Sequence, residues 1–313
     1  VSARSIVFLD YATLGGSSLA KIERLGLLSV YETTKSDEIT LRAKDAEIII
    51  TNKVVLDESV INSLPKLKLI CIAATGVNNI DLKACEKAGI AVCNVKGYST
   101  TSVAQIVFSS LFYAISKISR FDAFVKNGEY AKSPIFTYMG EQFSELAGKN
   151  FGIIGFGEIG QRVANIALSF GANVLYYSTS GKNSVDGFRR VGLDEILQTS
   201  DILSVHAALN EHTKNLISEK EIQKLSKNAI LINFARGGIV DEKAVAKALN
   251  ADSLGAYISD VFEREPIAND SALLSIVNKE KLVLTPHIGW ASIEARDRLI
   301  GEIANNIKAF LEG

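Results

Sequence analysis

The chain holds only three histidines, His206, His212 and His287. His287 lies in Leu284-Thr285-Pro286-His287-Ile288-Gly289-Trp290, just past an apolar strand candidate. In open α/β sheets, ligands bind beyond the carboxyl ends of strands. Histidine has an ordinary pKa near neutrality, so it can give a proton in one direction of a reaction and recover it in the other. Two more charged residues follow strand candidates. They are Arg236 in Phe234-Ala235-Arg236-Gly237-Gly238 and Glu265 in Asp260-Val261-Phe262-Glu263-Arg264-Glu265-Pro266. A guanidinium can hold a carboxylate by two parallel hydrogen bonds and polarise the neighbouring carbonyl. A carboxylate bonded to an imidazole fixes the ring and favours its protonated form. Singly, these residues also read as a surface arginine, a solvated acidic loop and a histidine capping a loop. Together, at the ends of different strands, they suggest hydride transfer to the carbonyl of a 2-keto acid, with the proton held on His287.

Such a reaction needs a hydride carrier, and the sequence offers a place for one. Gly155, Gly157 and Gly160 form G-x-G-x-x-G directly after an apolar strand candidate at 151–154. A helical pattern follows, with Val163, Ala164, Ala167, Leu168 and Phe170 on one face and Gly171 as its stop; a second strand candidate covers 174–177. This is the strand, turn, helix and strand order of a dinucleotide site. A pyrophosphate would rest on backbone amides at the start of the helix, with Glu158 and Ile159 among the contacts.

These residues need a scaffold, and the pattern supplies one. Strand candidates at 5–9, 48–51, 67–72 and 91–94 alternate with helical stretches such as 58–63 and 82–88. The alternation restarts at Phe151, with later strands at 202–205, 229–233, 256–259 and 282–284. That predicts an α/β protein built on parallel sheets. A length of 313 residues suggests about two domains. Lys plus Arg (34) nearly balances Asp plus Glu (35), which speaks against a nucleic-acid or membrane partner. No signal peptide and no membrane-length apolar run is read, so a cytoplasmic protein is expected. Cys71, Cys85 and Cys93 fit neither a disulfide framework nor a zinc site; reduced thiols and no metal are expected. The last helix, 293–311, carries an apolar stripe of Ala295, Leu299, Ile303 and Ile307 that could pack on either domain.

From about residue 45 to its end, the chain resembles the D-isomer-specific 2-hydroxyacid dehydrogenase family. Six blocks carry the likeness, in order: Ala74-Thr75-Gly76-Val77-Asn78-Asn79-Ile80-Asp81; Gly97-Tyr98-Ser99-Thr100-Thr101-Ser102-Val103-Ala104; the glycine turn; Asn233-Phe234-Ala235-Arg236-Gly237; Asp260-Val261-Phe262 through Glu265-Pro266; and Thr285-Pro286-His287-Ile288-Gly289-Trp290. The resemblance implies Arg236 as substrate anchor, His287 as acid and base, and Glu265 as its partner. It implies that Ala74, Thr75 and Gly76 receive the substrate carboxylate, Thr75 touching the cofactor as well. It adds Ala207, Phe234, Ala235, Asp260 and Gly289 to the cofactor contacts, Asp260 through the nicotinamide amide. The implied fold is a Rossmann-type nucleotide domain (99–284) inserted into a flavodoxin-like substrate domain (1–98 and 285–313). The active site would be the cleft between them. A homodimer through the nucleotide domain is also implied, with the apolar helix at 103–115 as candidate contact.

Departures from the family pattern bear on specificity. An acidic residue should hold the adenosine ribose about 20 residues past the glycines. Here Ser178 stands in its place, followed by Thr179, Ser180 and Lys182, hydroxyls and a cation that suit a 2′-phosphate. The reading is NAD or NADP, leaning to NADP. Asn78 stands where aspartate is common, and Ala207-Ala208 where relatives often have proline. Trp290-Ala291-Ser292 is similar to the sequence after the catalytic histidine in glycerate dehydrogenases. The expected reaction is therefore reduction of hydroxypyruvate or glyoxylate to D-glycerate or glycolate. D-Lactate or another D-2-hydroxy acid is the alternative substrate. A non-catalytic NAD(H)-sensing protein like the family's corepressors is the alternative function.

Overall fold

The computed structural model describes residues 4–182 and 184–313. Its contacts divide into two compact units, one running to Ser99 and completed by Trp290–Gly313, the other Thr100–Gly289.

The first unit is built on five parallel strands: β1 (Ser5–Phe8), β2 (Leu27–Val30), β3 (Ile48–Thr51), β4 (Leu69–Ile72) and β5 (Ala91–Cys93). Their order is β2-β1-β3-β4-β5, the flavodoxin-like order. The inner strands Ile-Ile-Ile-Thr and Leu-Ile-Cys-Ile are buried at every residue, because helices cover both faces of a parallel sheet. On one face Ile39, Ile61, Ala84 and Ile70 pack together. On the other lies helix Ile293–Glu312, whose Ala295, Leu299, Ile303 and Ile307 are wholly buried against Ile6, Phe8 and Ile50. The stripe left open by pattern alone thus belongs to this unit. Ser292 starts the helix, its hydroxyl accepting from Ala295 N at 3.1 Å.

The second unit has seven parallel strands: β6 (Asn150–Ile154), β7 (Asn173–Tyr177), β8 (Arg189–Arg190), β9 (Ile202–Val205), β10 (Ile230–Asn233), β11 (Ala256–Ser259) and β12 (Leu282–Leu284). The order β12-β11-β10-β9-β6-β7-β8 is the doubly wound dinucleotide arrangement with one further strand at its edge. The direction of winding reverses between β6 and β9, where such sheets bind their ligands.

Helix Glu158–Ser169 buries Val163, Ala164 and Ala167 completely. Leu168 and Phe170 stay roughly half exposed, at 44% and 48%. At 100° per residue Leu168 has left the buried stripe, and Phe170 lies past the helix end. Phe170 instead meets Phe112, ring centres 4.8 Å apart. Helix Thr100–Ser116 turns Val103, Ala104, Val107, Phe108 and Leu111 into this unit's own core. These five residues of the helix expected at a subunit contact are thus taken up by this unit's own core. Among the described residues no single helix is long and apolar enough to cross a membrane.

Candidate active site

Three chain segments of the second unit converge. After β10, Asn233 ties the turn that carries Arg236: its side chain accepts from Ala235 N at 3.1 Å and donates to Arg236 O at 3.0 Å. Arg236 is exposed, its Nη1 donating to Ala235 O at 2.8 Å. Gly237 comes next. A Cβ there would lie 1.8 Å from the carbonyl oxygen of Phe262, so only glycine lets the arginine turn meet the segment after β11. That second segment carries Glu265. Glu265 Oε1 accepts from Phe262 N at 3.1 Å, and Glu263 N donates to the carboxylate of Glu242 at 2.7 Å. Glu242 is buried, and loss of solvent raises its pKa.

The third segment follows β12 and carries His287. Its ring Nδ1 lies 2.7 Å from Glu265 Oε2, with about a quarter of the imidazole exposed. His287 has φ +53°, a left-handed backbone that costs a non-glycine residue about 1–3 kcal/mol. The constraint comes from Asp260. Its Oδ1 accepts from Thr285 Oγ1 (2.6 Å) and Ile288 N (2.8 Å), and its Oδ2 accepts from Gly289 N (2.7 Å). Asp260 is buried, which raises its pKa, while the bonds from Thr285, Gly289 and Ile288 act the other way. This carboxylate therefore positions the histidine loop, a role the sequence reading did not assign to it. The bonds also draw Thr285–Gly289 into the second unit, so the division falls after Gly289 rather than after residue 284. Ala74, Thr75 and Gly76 follow β4 in the first unit. There Thr75 Oγ1 donates to Val95 O at 2.9 Å, and Asn94 Nδ2 donates to Thr75 O at 2.6 Å.

The glycine turn sits where the winding of the second sheet reverses. Gly155 has φ +87°, and a Cβ on it would approach Ala207 N to 2.5 Å. A Cβ on Gly160 would lie 2.3 Å from Gly155 O, so helix and turn pack backbone to backbone. At Gly157 the same construction meets nothing within 4 Å. Gly157 opens helix Glu158–Ser169 with no side-chain cap, so the first-turn amides receive none of the usual Ser, Thr or Asp acceptors. An open, uncapped, positively polarised cradle fits a dinucleotide pyrophosphate. Ile159 is half-buried, and Glu158 is exposed near Thr100 at 3.5 Å. Phe234 and Ala235 are buried, and Phe234 also packs beside Gly289.

After β7, Ser178 is buried and Thr179 half-buried, while Lys182 is exposed. Gly181 turns the loop at φ +70°, and a Cβ on it would lie 3.7 Å from Nη2 of Arg190. Arg190 reaches this loop from β8, where it is the register partner of Tyr176. Sequence reading missed it: a two-residue strand has no period, and the Arg189-Arg190 doublet was its sole signal. His206 is not in this group. Its Nε2 lies 2.8 Å from Ser204 Oγ, its Nδ1 is buried without a partner among the described residues, and burial lowers its pKa to about 3. It stays neutral and is a poor acid at neutral pH.

Comparisons with known proteins identify the family of the chain. Residues 108–289 match the family model described as "D-isomer specific 2-hydroxyacid dehydrogenase, NAD binding domain". The glycerate dehydrogenase of Methylorubrum extorquens is 34% identical over 99% of this chain and 97% of its own. The glyoxylate reductase of Thermococcus litoralis is 37% identical over 87% of this chain and 82% of its own. Among solved structures, an acyclic imino acid reductase in complex with NADPH and D-arginine superposes with a TM-score of 0.86, at 29% identity over 98% of this chain and 97% of that one. The chain belongs to the D-isomer-specific 2-hydroxyacid dehydrogenase family. It is an oxidoreductase of the kind that works with a nicotinamide cofactor.

Proposed function

We propose that the protein reduces hydroxypyruvate, and glyoxylate as a second keto acid, to D-glycerate and glycolate. The observation that carries this reading is the 2.7 Å contact between His287 Nδ1 and Glu265 Oε2. With Nδ1–H given to the carboxylate, Nε2 is the nitrogen that holds or moves the catalytic proton. Arg236 binds the substrate carboxylate and polarises the adjacent carbonyl; the loop Ala74-Thr75-Gly76 is a further substrate-binding segment. The bound nicotinamide supplies or accepts the hydride. His287 donates its proton to the carbonyl oxygen during reduction and takes it back in oxidation. The names of the glycerate dehydrogenase and glyoxylate reductase relatives support the choice of substrate.

The cofactor reading is NADP. Its supports are Ser178 in place of a carboxylate, the exposed Lys182, and the guanidinium of Arg190 beside Gly181. We read the protein as cytoplasmic, a compartment in which free thiols such as Cys71, Cys85 and Cys93 are the resting state. It assembles as a homodimer through the nucleotide unit. The support is a cluster of exposed apolar side chains that includes Phe136 (90% exposed), Met139 (76%) and Phe143 (64%).

A steady-state panel of hydroxypyruvate, glyoxylate, pyruvate and 2-ketoisocaproate with NADH and NADPH tests the reading. Hydroxypyruvate with NADPH should show the highest kcat/KM. A higher value for pyruvate or 2-ketoisocaproate would overturn the substrate. Ser178→Asp should lower the ratio of kcat/KM for NADPH over NADH, and an unmoved ratio would overturn the role of this loop.

A further inference from the structure

Two thiols of the first unit face each other across neighbouring strands. Cys71 of β4 and Cys93 of β5 are direct register partners, and their sulfur atoms lie 3.3 Å apart. Cys71 is fully buried. Cys93 is half-buried at the end of β5, an edge strand. Cys85 packs in the cluster on the other face of the sheet. A disulfide needs an S–S distance of about 2.0 Å and Cα atoms roughly 4.4–6.8 Å apart. Paired strands are spaced by about 4.8 Å, so this register satisfies the backbone requirement. The two thiols differ. The hydrogen bond with Cys71 holds the Cys93 pKa below its ordinary value against the opposing effect of burial, and the Asn306 side chain adds to the lowering. That same bond, and burial, raise Cys71 well above its ordinary value.

We propose that Cys93 and Cys71 form an oxidation site that reacts with hydroperoxides and closes to a disulfide. The Cys93 thiolate attacks the peroxide oxygen. The O–O bond breaks, a sulfenic acid forms, and the peroxide leaves as water or an alcohol. The Cys71 sulfur then attacks the Cys93 sulfur, the S–O bond breaks, and a second water carries off the hydroxyl and the Cys71 proton. Two thiols are oxidised and one peroxide is reduced. β4 leads into Ala74, Thr75 and Gly76, and the residues after β5, Asn94 and Val95, hold Thr75 by two hydrogen bonds. Drawing the sulfurs together moves this loop. That consequence rests on the proposed substrate site; the chemistry does not.

The full-length protein is treated with hydrogen peroxide, freed of it, and read by intact mass, thiol count and peptide mapping. The expected results are a loss of two hydrogens, one remaining thiol, and a cross-linked peptide pair containing Cys71 and Cys93. KM for hydroxypyruvate should rise on the order of tenfold while NADPH affinity holds, and dithiothreitol should reverse both the cross-link and the KM. Cys93→Ser should abolish the response. Cys71→Ser should leave a sulfenic acid that dimedone traps, and Cys85→Ser should behave like the parent. Three intact thiols after treatment, or over-oxidised Cys93 without the cross-link, would overturn the site. A cross-link with unchanged KM would overturn its coupling to the loop. If the protein turns over no keto acid, the proposed function fails while the mass measurement still judges the thiol pair.

Discussion

At the switch point of the first sheet, between β1 and β3, three backbone amides converge on a carboxylate that the chain itself supplies. Asn52 N, Lys53 N and Val54 N donate to Asp10 at 2.9, 2.6 and 3.2 Å, and Asp10 is buried. At the switch point of the second sheet, between β6 and β9, the chain presents Gly157 with open space around it and no side-chain cap. Both sheets are parallel and doubly wound, and both end in converging backbone donors. One set is satisfied internally; the other is left for an anion from outside. The switch-point crevice is thus sealed by one acidic side chain in the first unit and left uncapped in the second.

The largest effect should come from the open side. His287→Gln keeps the size of the ring partner but removes the titrating nitrogen, so kcat should fall by about 10²–10⁴ with cofactor affinity unchanged. Comparable turnover would place the acid and base elsewhere. On the sealed side, Asp10→Ala strands buried amides and should destabilise the first unit by about 3 kcal/mol in urea denaturation. Dinucleotide affinity, measured by titration, should stay within about twofold. A large loss of affinity would show that the two crevices are not independent.

Gly157→Val fills the open cradle. Dinucleotide affinity should drop on the order of a hundredfold, about 2.7 kcal/mol. The melting temperature without cofactor should fall only modestly, since a Cβ there meets no protein atom within 4 Å and the poorer N-cap costs about 1 kcal/mol. Unchanged affinity would mean that the pyrophosphate lies elsewhere.

The smallest effect is a pH slope. His206 has a pKa of about 3 in the folded chain and about 6.5 when unfolded. Between those values the unfolded chain binds a proton that the folded chain does not, so this group lowers stability as pH falls from about 6.5 toward 3. Replacing it in His206→Gln should reduce the loss of urea stability between pH 7 and pH 5. An identical loss in parent and variant would dismiss the effect.

Much of this was legible in sequence, for identifiable reasons. Buried parallel strands such as β3 and β4 are nearly continuous apolar runs, and β9, β11 and β12 have the bounds read from sequence. The glycine turn is legible because each glycine answers a backbone constraint. What escaped were features without period. β2 is a solvent-facing edge with Leu27 68% exposed, and β8 is two residues long. The clamp of Asp260 on the His287 loop and the seal of Asp10 on residues 52–54 join positions far apart in sequence. An aspartate after a strand reads alike whether it meets a cofactor, a loop or its own chain.

The carboxylate of Asp260 has one more consequence, visible in time rather than in space. Ile288 and Gly289 give it their amide protons, on two different oxygens. Neither amide can exchange with deuterium while that grip holds, and releasing the histidine loop uncovers both together. Corrected for their intrinsic rates, the pair should show one shared protection factor, a measure of how rarely the His287 loop lets go.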